Sequence, residues 1–483
     1  MSVAEHVETY HSDAVHVEEV DGKGRVLLAS RDFEPGERIL LEYPLVEAVA
    51  DPSIPAYKRL LELSEEGSLQ FAPLFYWSAL CTLTSAQIAS ASCPAWPAVS
   101  EQTQEHARLL FAPSEECEKT SPSTSSVIAT LWPSTTGPDP LCLERLLQVW
   151  IYNSFDQGSD VASEAGVIYL CASMLSHSCS PNAAWHMDEA NSFILHARKS
   201  IREGEEVTIP YLSPADLCLP TADRRDILAN SKAFWCMCER CTAPLDATRS
   251  FRCPRCAASS ALASADPVPA GAEDASHACE TDSERLICSA CGVLSSSEAA
   301  PLLAAEAALR PWAREQAVRE GATKGTDTGT TGNQTEDALE RLLSAEGAGL
   351  DDRHWIIDVA RAAAAAEQPD LACKLLRQRI ASHGDNEMHA ATKRARLHQA
   401  LGEALCVAGD TESLQEAVAS YGVAAESLAL LFGDDHPEHY EAASLKDMTA
   451  KKLAHKRASE SGKPRGSSNA CPPQVAGMRA SQV

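Results

Sequence analysis

No stretch of about 18 consecutive apolar residues occurs anywhere in this 483-residue chain, which excludes a helical membrane span. Nor does the opening Met-Ser-Val-Ala-Glu-His-Val-Glu carry the basic start and apolar core of a secretion signal. Neither secretion nor a membrane partner is expected. Positive charge is also scarce, with 41 Lys and Arg against 68 Asp and Glu and a net charge of -27. Nonspecific nucleic-acid binding depends on cationic groups that displace counterions from phosphates, so no direct nucleic-acid partner is expected. Two readings of the acidity stay open: it keeps the protein soluble, or it draws in basic peptides. Only the tail is basic, with Lys451, Lys452, Lys456, Arg457, Lys463 and Arg465, and it reads as a disordered end and a weak nuclear import signal.

Cysteine, by contrast, is plentiful at 18 residues, and its closest spacings are C-x-C and C-x-x-C. In a chain long enough for two or three domains, such spacing suits a metal better than a disulfide scaffold or redox thiols. A reducing compartment, cytoplasm or nucleus, follows. Cys236, Cys238 and Cys241 supply three ligands of a tetrahedral zinc site. The fourth must come from a distance, and Cys179 in Ser176-His177-Ser178-Cys179-Ser180-Pro181-Asn182 is the best candidate. Two further knuckles, Cys253-x-x-Cys256 and Cys288-x-x-Cys291, read as a second, ribbon-like zinc site.

The two cysteine motifs resemble those of SET-domain lysine methyltransferases, specifically the SMYD branch, in which the cysteine of an Asn-His-Ser-Cys-x-Pro-Asn motif joins three post-SET cysteines on zinc. The N-terminal part agrees, with Gly22-Lys23-Gly24-Arg25, a strand, Pro35-Gly36-Glu37 and Glu42-Tyr43-Pro44 in the family's order. The resemblance implies an α+β fold. It combines a SET β-fold of small sheets with a knot-like crossing, a zinc-bound post-SET segment and an all-α TPR-like C-terminal domain.

Along the chain this reads as an N-terminal part of the SET domain at 14–50, a helical insert at 51–140 and the core SET domain at 141–212. A post-SET zinc segment at 213–249 and a four-cysteine, zinc-ribbon-like segment at 250–293 follow. The helical domain spans 335–455 and the disordered basic tail 456–483. In and just after the insert, Cys81, Cys93, Cys117 and Cys142 are isolated, so the MYND finger of the family is missing. Ser121 to Pro140 reads as a Ser/Thr/Pro-rich loop, Glu206 to Tyr211 as a strand, and Ala261 to Ser283 as a floppy loop in which His277 and Cys279 are bystanders. Glycine-aspartate pairs at 384–385, 409–410 and 433–434 punctuate the C-terminal helices, and a solenoid and an ordinary bundle both remain open.

The resemblance also implies chemistry. Methyl transfer to lysine needs a neutral amine aligned with the sulfonium methyl of S-adenosyl-L-methionine, and aromatic walls accept such an amine without hydrating it. Tyr211 takes the place of the catalytic tyrosine, while on its own it would read as a packed strand-end residue. Phe234 matches an aromatic of the cofactor site or channel. Lys23, Gly24 and Arg25 match the turn approaching the cofactor's methionine end. Asn153, Ser176 and His177 match further cofactor contacts, and His177 could equally be structural. The implied cofactors are S-adenosyl-L-methionine and zinc. The implied partner is a basic lysine-containing protein or peptide, with histones among the candidates.

Two positions depart from the pattern. Ser176 replaces an asparagine, and Lys232 stands where a second channel tyrosine is expected. Two functions follow: a protein-lysine N-methyltransferase, or a catalytically weak or inactive SET-fold adaptor that binds peptides through its helical domain.

Overall fold

The computed structural model describes residues 2–93, 95–156, 165–256, 260–264, 284–321, 338–384 and 387–460. The chain is α+β, and among the described residues there are five small sheets before residue 300 and helices thereafter. Helix Val3–Tyr10 opens it, closed at its start by a reciprocal Ser2–Glu5 capping box. Strands Val15–Val20 and Gly24–Ala29 then form an antiparallel hairpin. Gly22 and Gly24 adopt φ of 73° and 76° in its turn, a region that costs other residues about 1–2 kcal/mol.

Strands far apart in sequence complete the remaining sheets. Arg38–Glu42 pairs with Phe193–Ala197, which pairs with Ala183–Met187, and Val46–Val49 pairs with Ala165–Ile168 beside Phe155–Asp156. Strand Ser176–His177 lies parallel to Thr208–Ile209. Asn182 fastens this crossing, its Nδ2 donating to Glu206 O at 2.8 Å and its Oδ1 accepting the Thr208 N–H at 2.7 Å. Glu42 fastens the N-terminal strand to the segment before Ser176, accepting N–H groups of Leu170, Cys171 and Ala172 at 2.7–2.9 Å.

The sequence-expected strand Glu206 to Tyr211 is shorter than read. Only Thr208–Ile209 is ladder, because Pro210 has no N–H to give, and Tyr211 lies beyond the strand. The first half of the expected loop at Ser121 to Pro140 is helix, Pro122–Leu131. Ser121 caps it through the Thr124 N–H, Pro122 suits the first turn, and Val127 and Leu131 are fully buried. Among the described residues, Cys81, Cys93, Cys117 and Cys142 join no metal-binding group.

Strands Leu245–Arg252, Ser260–Ser264, Leu286–Cys288 and Gly292–Val293 form a four-stranded sheet. Residues 261–264 are therefore strand, while the rest of the expected loop, with His277 and Cys279, lies outside the described residues. The 26-residue helix Ser296–Gly321, unforeseen in the sequence because Pro301 and Pro311 interrupt it, packs on this sheet together with Trp355–Glu367. Helices Pro369–Ser382, Ala391–Ala408, Thr411–Phe432 and Pro437–Glu460 follow, each packed on the next. Residues 456–460, expected as disordered tail, instead continue the last of these helices to Glu460, and the remainder of that tail, 461–483, lies outside the described residues. No helix among the described residues is long and apolar enough to cross a membrane.

The helical region meets the strands of the N-terminal sheets where Thr411–Phe432 ends. A Cβ at Gly36 would stand 3.3 Å from Leu430, and one at Gly433 (φ 93°) 2.8 Å from the His196 ring. His186 and His196, on adjacent strands, stack at 5.9 Å, and His436 stands edge-on to His186 at 4.7 Å.

Candidate active site and cysteine centres

The post-SET thiols and Cys179 gather as the sequence reading expects. Cys179, Cys236, Cys238 and Cys241 offer sulfurs all within 4.8 Å of one another. Cys179 Sγ is 4.0 Å from Cys236 Sγ and 3.5 Å from Cys241 Sγ. A tetrahedron with zinc–sulfur arms of about 2.3 Å has edges of about 3.8 Å, so this spacing fits the ion. Cys253, Cys256, Cys288 and Cys291 form a second such group, with Cys256 and Cys288 sulfurs 3.9 Å apart. Its backbone also helps, since Cys288 Sγ accepts the Cys291 N–H at 3.4 Å.

Two buried arginines and a third, half-buried one around the first tetrad escaped the sequence reading. Arg224 donates to Cys241 Sγ at 3.5 Å, and Arg225 donates to the carbonyls of Cys236 at 3.1 Å and Cys241 at 2.9 Å while its guanidinium lies 4.9 Å from the Trp235 ring. Arg240 donates to Leu217 O at 2.6 Å and Cys179 O at 3.3 Å. Four thiolates on one divalent cation leave a net charge of about -2, which buried guanidiniums offset. The Arg224-Arg225 pair is visible in the sequence, but nothing local marks it as buried.

His177 links the tetrad to Tyr211. Its Nδ1 accepts the Tyr211 backbone N–H at 2.9 Å, and its Nε2 lies 3.3 Å from Cys179 Sγ. Burial lowers the pKa of the imidazole to about 4, so the ring is neutral at physiological pH. An accepting Nδ1 places the proton on Nε2, facing the sulfur. Tyr211 turns its hydroxyl inward to donate to Leu175 O at 2.5 Å, and burial there pushes that hydroxyl well above the usual phenol range. The residue nonetheless remains 39% exposed, so the ring presents an open edge. Phe234 stands perpendicular to Tyr211 at 6.2 Å and lies 6.0 Å from His177.

The other sequence-expected contacts have partners of their own. Ser176 precedes His177 on the crossing strand. Lys23 Nζ pairs with Glu206 at 2.7 Å, which ties the glycine turn to the segment leading to Tyr211, and the position above Gly24 is open space. Arg25 donates to Leu109 O at 2.5 Å. Asn153, the last residue of helix Pro140–Asn153, gives its Nδ2 to the carbonyls of Phe111 and Val149, both at 2.7 Å. Its Oδ1 is then the atom it can offer a ligand. Lys232, the last residue of helix Thr221–Lys232, donates to Tyr152 O at 3.1 Å and lies 6.0 Å from the Tyr211 ring centre.

Comparison with known proteins accords with this geometry. Residues 24–212 match the SET domain family, and this part of the chain is a SET domain. Its relatives include SMYD proteins. The chain is similar to the SET domain-containing protein SmydA-8 of Drosophila melanogaster, 32% identical over 97 residues, which are 20% of this chain and 21% of that protein. It is similar to the protein-lysine N-trimethyltransferase SMYD5 of Danio rerio, 33% identical over 100 residues, 20% of this chain and 24% of that one. A third relative is the histone-lysine N-methyltransferase SET5 of Eremothecium gossypii, 39% identical over 77 residues, 16% of this chain and 15% of that one. The chain thus spans less than a quarter of the length of these relatives. A solved structure of Rubisco LSMT bound to AdoMet aligns over 96% of this chain and 97% of its own at 14% identity, but its TM-score of 0.27 is too slight to bear on the site.

Proposed function

We propose that this chain is an S-adenosyl-L-methionine-dependent protein-lysine N-methyltransferase, acting in the cytoplasm or nucleus on a basic lysine-containing protein or peptide, with histones among the candidates. A zinc ion in each cysteine tetrad completes the reading. The observation that carries it is the meeting of Tyr211 and His177, both within the SET-matched residues 24–212, with Phe234 in one aromatic cluster against the Cys179 tetrad.

The residues present suit the cofactor. Aromatic faces accept a sulfonium cation, Asn153 Oδ1 can accept from an ammonium, and Lys23, Gly24 and Arg25 offer positive charge and open backbone to a carboxylate. When bound, the cofactor supplies an electrophilic methyl group. The chain's own part is to hold a lysine amine in line, neutral and dry. The open edge of Tyr211 can meet the target side chain, while the bond from its backbone N–H to His177 holds the ring in register. Taking the incoming amine out of water beside the sulfonium charge disfavours its ammonium form and leaves its lone pair free.

Calorimetry with S-adenosyl-L-methionine, followed by labelled methyl transfer to histone peptides, tests the proposal. Binding at or below millimolar cofactor and label on lysine are expected, and no binding at millimolar cofactor would remove the reading. One observation favours the second reading, a SET-fold adaptor without turnover: Lys232 brings an amine to the Tyr211 ring, where an incoming lysine would have to pass. Cofactor binding without transfer to any lysine would support that reading.

A further inference from the structure

Resting on the methyltransferase reading, we infer that Lys232 is itself a methylation site and that the chain transfers a methyl group to it intramolecularly. Four observations converge on this side chain. Its Nζ reaches the face of Tyr211, the residue assigned to align the target amine, at 6.0 Å from the ring centre. Its hydrogen bond goes to a backbone carbonyl, Tyr152 O at 3.1 Å, and among the described residues no carboxylate pairs with it. Lysine amines drawn partly out of water are usually paired with an acid, so a half-buried amine held by a carbonyl beside an aromatic ring is unusual as a structural feature. The next residue, Ala233, adopts a left-handed φ of 56°. A non-glycine residue accepts that conformation at a cost of about 1–2 kcal/mol, and here it turns the chain so that Lys232 and Phe234 both face Tyr211.

Burial also favours the neutral amine at Lys232, the form able to react. The transfer balances without another reagent. The Nζ lone pair forms an N–C bond to the methyl as the S–C bond breaks, the electron pair returns to sulfur, and the product ammonium releases a proton to water. Monomethyl-lysine keeps an N–H for Tyr152 O, so the contact that positions the side chain survives the reaction. A purely structural cation at the end of helix Pro140–Asn153 would carry no methyl group, and arginine could replace it.

The test uses the full chain, zinc included, incubated with methyl-labelled S-adenosyl-L-methionine, then digested and mapped by mass spectrometry. Label on Lys232 is expected, appearing at a first-order rate that a tenfold dilution of protein leaves unchanged. Lys232→Arg should remove that label while preserving the melting temperature and cofactor binding. A chain that binds the cofactor and methylates histone peptides but leaves Lys232 unlabelled overturns the inference and spares the methyltransferase reading. Labelling of Lys232 that slows on dilution also overturns it, because transfer would then run between chains. Absence of cofactor binding sinks the methyltransferase reading and this inference with it.

Discussion

His177 Nδ1 accepts the backbone N–H of Tyr211 at 2.9 Å while its other ring nitrogen faces Cys179 Sγ at 3.3 Å. One imidazole therefore couples a cysteine centre to the residue assigned to catalysis. Groups that hydrogen-bond to metal ligands commonly set the orientation of what lies beyond them, and here the dependent residue is Tyr211.

Replacing either partner separates alignment from architecture. In Tyr211→Phe the ring keeps its place, but the hydroxyl bond to Leu175 O is gone. A fall in methyl transfer of roughly two orders of magnitude is expected, with a stability loss of about 1 kcal/mol. His177→Ala leaves the Tyr211 N–H without its partner and should lower the rate by roughly tenfold or more with the second tetrad intact. Single-turnover kinetics with labelled cofactor and thermal melts check both. Unchanged turnover in Tyr211→Phe would show that tyrosine to be structural.

Cys238→Ser removes one thiol of the first tetrad only. Zinc content should fall from two ions per chain to one, and the SET core should lose much of its stability, since structural zinc contributes folding free energy directly. The equivalent change at Cys288 should instead unsettle the sheet that packs against helix Ser296–Gly321. Elemental analysis with circular dichroism reads both, and two ions retained in Cys238→Ser would refute the ligand set.

The histidine contact between the SET strands and the helical region makes the protein acid-sensitive. Burial, followed by the neighbouring His186, lowers the folded-state pKa of His196 and of His436 to about 4, and burial also lowers that of His186. Asp434, Asp435, Asp188 and Glu438 favour the charged forms, Arg38 and Arg396 oppose them, and burial prevails. With folded values below the unfolded value of about 6.5, the unfolded chain binds protons first. Stability is full above that value and declines as pH falls from about 6.5 towards 4. After discounting for partial solvation the loss should be on the order of 2 kcal/mol. Denaturant melts across this range check it, and His196→Gln should flatten the slope.

Helices Ala391–Ala408 and Thr411–Phe432 touch at Gly402, where an added Cβ would stand 2.7 Å from the Tyr421 ring. Gly402→Ala should cost about 1–3 kcal/mol by overpacking, even though alanine is the better helix former. A chemical melt showing stabilisation would mean that the two helices separate at little cost.

Much of this protein was legible from residue order alone, wherever the physics is local. The hairpin turn follows from glycines that tolerate positive φ, and the helix ends from Gly409 and Asp410. Cysteine spacing marked both tetrads, because three or four thiols so close together have few other uses. Local pattern misled at Ser121 to Pro140, where a capped helix buries Val127 and Leu131, and at Tyr211, which lies beyond its strand. Tertiary structure alone decided which arginines lose their water, that the Tyr211 hydroxyl turns inward, and that Lys232 points at that ring. Those outcomes depend on contacts between segments from 11 to 80 residues apart. Burial and desolvation there are properties of the packed whole, and no short window of sequence carries them.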